Sequence, residues 1–120
     1  MGMGNRDDHR ILDRVAALER LDNDEAFLGE LAGIFLKDYP RMMREIERGV
    51  LTRNAPALRH AAHGLKGSVK EFAAHDAADA AFRLEQMAMT GDLRLVEDAW
   101  ANLKVEMARL LPALQDLAHR

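Results

Sequence analysis

The sequence predicts an all-α protein: an antiparallel, up-down-up-down four-helix bundle with an additional N-terminal helix. Three observations point there. Ala, Leu, Glu and Arg dominate, while β-branched residues are sparse and only three prolines occur. Apolar residues recur at alternating spacings of four and three, the period of a helix face. The segments that carry this pattern are long and joined by short turns, which makes sequential helices antiparallel neighbours.

The first segment runs from about Asp8 to Leu21, with Ile11, Leu12, Val15 and Leu18 on one side. Asp22-Asn23-Asp24 breaks it and supplies a cap for the next. The second runs from about Asp24 to Leu51, with Phe27, Leu28, Leu31, Phe35, Met42 and Ile46 as its stripe and Pro40 inside it as a candidate kink. Asn54 before Ala55-Pro56 reads as an N-cap with proline in the first turn. The third helix, from about Ala55 to Phe72, carries a seam of Leu58, Ala62, Leu65, Val69 and Phe72. The fourth begins near Asp76, read as its cap. It has a small-residue face of Ala77, Ala80, Ala81, Leu84 and Ala88, and it stops at Gly91. The fifth runs from about Asp92 to Leu117, with Val96, Trp100, Leu103, Met107, Leu110, Leu114 and Leu117 in register. Residues 5–120 read as one domain, and Met1-Gly2-Met3-Gly4 as a disordered or cloning-derived lead-in.

Composition narrows the function classes. Aromatics are 5% of the chain, so the core is aliphatic. A net charge of −3 argues against general nucleic-acid binding. The chain has no cysteine, which removes disulfides, thiol chemistry and Cys-based zinc sites. No apolar run reaches the length of a membrane span. These features are compatible with a cytoplasmic protein, and a closed four-helix core that leaves its reactive side chain exposed favours a monomer.

The third helix carries the chemistry. At about 100° per residue, His63 lies roughly 140° from the centre of the apolar seam and His60 roughly opposite it, so both face solvent. The neighbours of His63 at helical spacing are Arg59, His60, Lys66, Gly67 and Lys70. Gly64 and Gly67 each cost about 1 kcal/mol relative to alanine inside a helix. The clustered cations cost a little more. A bundle built for stability alone avoids this arrangement, whereas a phosphoryl-accepting site would choose it; the residues by themselves reach as far as an exposed histidine suited to bind or carry an anion. The nucleophilic imidazole is the neutral one, and nearby cations favour that form. A transferring phosphoryl group spreads negative charge over its oxygens, where Lys66 can stabilise it with Arg59, His60 and Lys70 as a supporting basic face. Gly67 leaves room for a partner's active site. A metal held by His60 and His63 lacks a further ligand on that face, and no cofactor is expected.

The motif His63-Gly64-Leu65-Lys66-Gly67-Ser68 resembles the HxLKGS signature of histidine-containing phosphotransfer (HPt) domains. Phe72-Ala73-Ala74 falls at that family's turn between helices, and Leu84-Glu85 with Gly91-Asp92 is similar to its "LE … GD" segment. The resemblance spans roughly Asp22 to Leu117. Val69 and Lys70 stand where small residues are frequent in the family, and Ala73 where glycine is common. The resemblance implies that His63 accepts a phosphoryl group from a receiver-domain aspartyl phosphate and passes it to another receiver aspartate. Response-regulator receivers or a hybrid histidine kinase would be the partners, and Mg²⁺ would sit on the receiver. Leu36, Met43 and Gly64 are candidate docking residues, with packing against the N-terminal helix as the other reading of Leu36 and Met43. Phe82 and Met89 read as isolated exposed apolar residues.

No P-loop or kinase glycine loop is present, so the chain reads as a carrier and not an autonomous kinase. The alternative is an HPt-like interaction module that binds receiver or kinase domains without carrying phosphate. A histidine-kinase dimerisation domain would place an acidic residue directly after the histidine, where Gly64 stands. A di-metal carboxylate bundle would need inward Glu-x-x-His pairs, and none is found.

Overall fold

The computed structural model describes residues 6–119, and these form six helices: α1 (Arg6–Ile11), α2 (Arg14–Glu19), α3 (Glu25–Thr52), α4 (Ala55–Lys70), α5 (His75–Thr90) and α6 (Val96–Ala118). The lead-in Met1-Gly2-Met3-Gly4 lies outside the described residues. Among the described residues there is no strand, and no helix is long and apolar enough to cross a membrane.

Several boundaries follow from local chemistry. Asp24 caps α3 by accepting from the Phe27 N–H at 3.0 Å, and Asn54 caps α4 by accepting from the Ala57 N–H at 3.1 Å. Gly91 ends α5 in the left-handed region at φ 78°, where a side chain would be strained. α3 continues through Pro40 for 28 residues.

Three expectations are corrected. The segment Asp8–Leu21 is two short helices, because Asp13 takes extended backbone and caps α2 through the Ala16 N–H. Its own N–H donates to the Ala73 carbonyl at 3.1 Å, a tertiary bond that holds the break open. Asp76 does not cap α5: the cap position is Ala74, with no side-chain bond, and Asp76 instead accepts from Arg10 Nε at 2.7 Å. Asp92 does not open the last helix. Its carboxylate holds the Arg94 guanidinium at 2.8 and 2.9 Å and a turn precedes Val96.

The four long helices close a ring of contacts. α3 packs on α4 and α6, and α5 packs on the same two. The seam of α4 (Leu58, Ala62, Leu65, Val69) is buried and continues into Phe72 in the turn that follows, and the whole seam of α6 from Val96 to Leu117 is buried as well. Phe27, placed on the stripe of α3, is exposed instead. α3 and α4 approach closely at Gly49, where a Cβ would lie 2.9 Å from the Leu58 Cα.

The N-terminal pair covers the end of the bundle where α4 turns into α5. Arg10 bridges Asp76 and Asp79, and Arg20 Nη1 donates to the Lys70 carbonyl at 2.6 Å. Ala73 sits in that turn at φ 50°, in the left-handed region that favours glycine.

Candidate functional site

α4 buries its seam and turns its opposite face outward, so His63 stands with 66% of its side chain exposed. It is nevertheless not free. Its Nδ1 lies 2.8 Å from Oε2 of Glu85 on α5. Glu85 is the one buried charged residue among the described residues, with 8% of its side chain exposed. It interrupts the alanine face of α5, four residues after Ala81 and three before Ala88, and that small-residue face lets α5 approach α4.

The second oxygen of Glu85 is also engaged. Lys66 Nζ lies 2.7 Å from Oε1, and the same ammonium stands 4.6 Å from the centroid of the Phe82 ring. Lys66 therefore lies folded against α5, with 18% of its side chain exposed. Burial pushes the Glu85 carboxyl up, but the Lys66 ammonium and the His63 ring together outweigh it and hold the group below the ordinary carboxylate value. Glu85 is thus a carboxylate at neutral pH. A carboxylate only accepts, so the ring nitrogen that faces it is the donor, Nδ1–H. In the neutral ring the lone pair is then on Nε2, the nitrogen turned away from Glu85.

The remaining candidates fall in different places. His60 is exposed but lines a groove between α3 and α4 with Arg41, Arg48 and Asn54, on the side of α4 away from Glu85. Arg59 and Lys70 are exposed on α4. Gly64 and Gly67 are exposed, and a Cβ at either would meet nothing within 4 Å, so packing inside the chain requires neither glycine. Leu36 is partly buried against the core. Met43 lines a groove between α3 and α6 with Tyr39, Trp100 and Met107. That groove is across the bundle from the α4/α5 pair, so Met43 is not beside His63, and it packs towards α6 and not the N-terminal helices. Among the described residues no group of three or more His, Asp or Glu side chains converges as a metal site.

The arrangement is an exposed imidazole with one nitrogen anchored and the other free, beside an open strip of helix backbone. The family model for the Hpt domain matches residues 30–120, about three quarters of the chain. The chain belongs to the Hpt domain family. No curated protein and no solved structure matches it. Hpt domains serve histidine phosphotransfer in two-component phosphorelays, with receiver domains and kinases as the classes of partner. The match covers most of α3 and all of α4 to α6, and it leaves α1 and α2 outside.

Sequence reasoning missed Glu85 as a site residue, although Leu84-Glu85 was part of the resemblance. The available signal was its position: a lone acid on an otherwise alanine and leucine face, where burial needs a partner.

Proposed function

We propose that His63 is the phosphoacceptor of this Hpt domain, and that it takes a phosphoryl group from a receiver aspartyl phosphate and returns it to another receiver aspartate. The observation that carries the reading is the 2.8 Å contact between His63 Nδ1 and the buried Glu85 carboxylate, which leaves Nε2 as the nucleophile. His60 has no such anchor and faces a different groove.

In this reading the Nε2 lone pair attacks phosphorus. The bond from phosphorus to the receiver's carboxylate oxygen breaks, and its electron pair returns to that carboxylate. The Nδ1 proton stays on the ring, and Glu85 balances the positive charge that forms there. The receiver supplies Mg²⁺ and most of the transition-state charge stabilisation; this chain supplies the nucleophile and the docking surface. Lys66 contributes first by neutralising Glu85, and it reaches phosphoryl oxygens only by leaving that seat. Gly67 and Gly64 give the partner backbone-level access beside His63, with Arg59 and Lys70 as the surrounding positive surface, while His60 faces the separate groove between α3 and α4. Residues 5–120 act as one domain, a monomeric cytoplasmic carrier without an ATP site.

The four long helices run alternately up and down, with α1 and α2 as the added N-terminal element. Two pairings support the first antiparallel couple: Gly49 meets Leu58 at one end of α3 and α4, and Phe35 meets Phe72 at the other, ring centroids 5.9 Å apart.

The test charges a panel of receiver domains with acetyl phosphate and Mg²⁺, removes the donor and adds the chain. Phosphate-affinity gels read the label, and acid lability identifies phosphohistidine. Label that disappears in His63→Gln and persists in His60→Gln supports the assignment. Label lost only in His60→Gln moves the site, and binding without any label points to a phosphate-free interaction module.

A further inference from the structure

Phe82 stands on α5, three residues before Glu85, and presents its ring to the Lys66 ammonium at 4.6 Å from the centroid. It is a surface residue, 41% exposed, and the core does not depend on it. A surface lysine ordinarily keeps its head in water and samples many rotamers. Lys66 is instead held at two points, the Phe82 face and Glu85 Oε1. Residues three apart on a helix are neighbours, so Phe82 and Glu85 form one seat. A phenyl face attracts the cation without competing for either carboxylate oxygen.

We propose that Phe82 is a positioning residue for histidine phosphotransfer: it seats Lys66 on Glu85, and so keeps Glu85 engaged with His63 Nδ1 and leaves Nε2 free. The proposal rests on the reading of His63 as phosphoacceptor. Without the ring, Lys66 leaves for solvent and Glu85 becomes a buried carboxylate without its ammonium. Such a group turns towards water. Its hold on Nδ1 loosens, and nothing else there replaces it: the other charged neighbours of His63 on α4 are Arg59, Lys66 and Lys70, donors without an acceptor.

The experiment uses the full chain, ¹⁵N-labelled, as wild type, Phe82→Leu, Phe82→Tyr and Lys66→Met. At about pH 8.5, where imidazole is neutral, long-range ¹H–¹⁵N correlations read the His63 tautomer. Wild type and Phe82→Tyr should show Nδ1–H. Phe82→Leu and Lys66→Met should show a mixture with Nε2–H, and in Phe82→Leu the Lys66 side chain should lose its nuclear Overhauser contacts to Glu85. Transfer from a charged receiver should fall about two- to fivefold in Phe82→Leu, the population change one exposed cation–π contact can impose, and recover in Phe82→Tyr. An unchanged tautomer in Phe82→Leu overturns the proposal, as do Lys66 contacts to Glu85 that persist in that variant and a transfer defect that Phe82→Tyr fails to restore. If Phe82→Leu does not fold, a wild-type tautomer in Lys66→Met overturns it. If wild type accepts phosphate from no receiver, the phosphoacceptor reading fails, while the tautomer comparison still decides what Phe82 does.

Discussion

Replacing Glu85 with glutamine removes one charge and almost no volume. The carboxylate it removes is buried and faces two partners, His63 Nδ1 at 2.8 Å and Lys66 Nζ at 2.7 Å. A hydrogen bond to a charged group contributes about 1.5–3 kcal/mol, and removing one member of a fully buried pair costs about 3–5 kcal/mol. Here His63 is mostly in water and Lys66 reaches water by straightening, so the lower scale applies. We expect Glu85→Gln to lose about 1–2 kcal/mol of stability. The amide also accepts from or donates to the ring, so either tautomer becomes populated. Together with the lost orientation, this should slow phosphotransfer roughly tenfold, which corresponds to about 1.4 kcal/mol in the barrier. Urea unfolding and rapid-quench transfer from a charged receiver measure the two effects. Their pH dependence has a definite sign. The folded Glu85 carboxyl lies below its ordinary value of 4.5, so its stabilisation is complete above that value and is lost as pH falls through the folded pKa. The gap between wild type and Glu85→Gln should therefore be full at neutral pH and close under acid conditions. Equal urea midpoints at neutral pH, with transfer rates within about twofold, would refute the reasoning.

Four further outcomes are expected. Gly49→Ala should destabilise the chain by about 1–3 kcal/mol in urea unfolding, because its Cβ would lie 2.9 Å from the Leu58 backbone. Gly67→Ala meets nothing, so it should stabilise by up to about 1 kcal/mol in the same assay while slowing transfer to a receiver. Ala73→Gly should raise stability by about 0.5–1 kcal/mol, since it relieves a side chain held at φ 50°; a loss of stability in thermal unfolding would contradict that account. The Asp92 carboxyl should titrate at about 2, held down by hydrogen bonds from the Arg94 side chain and backbone, and Arg94→Ala should return it towards 3.8 as read by carboxyl carbon shifts. Its stabilising effect is present above 3.8 and is lost as pH falls towards 2.

What the sequence determined by itself was whatever depends on near neighbours. The seams of α4 and α6 repeat with helical period and are buried residue for residue. The caps at Asp24 and Asn54 and the glycine stop at Gly91 involve groups no more than four residues apart, and they formed as read. The outward face of His63 followed from the same wheel. Errors arose where one local pattern serves two purposes. An acid at a helix start is either a cap or a first-turn residue, and Asp76 is the latter because Arg10, distant in sequence, takes its carboxylate. Asp13 breaks a helix that periodicity would continue, because the Ala73 carbonyl receives its N–H. The tertiary structure alone decided the chemistry around His63. Glu85 is 22 residues away, and only the packing of α5 against α4 brings its carboxylate to Nδ1 and folds Lys66 back onto the Phe82 ring. Periodicity tells which way a side chain points from its own helix; what it meets there depends on the helix packed alongside.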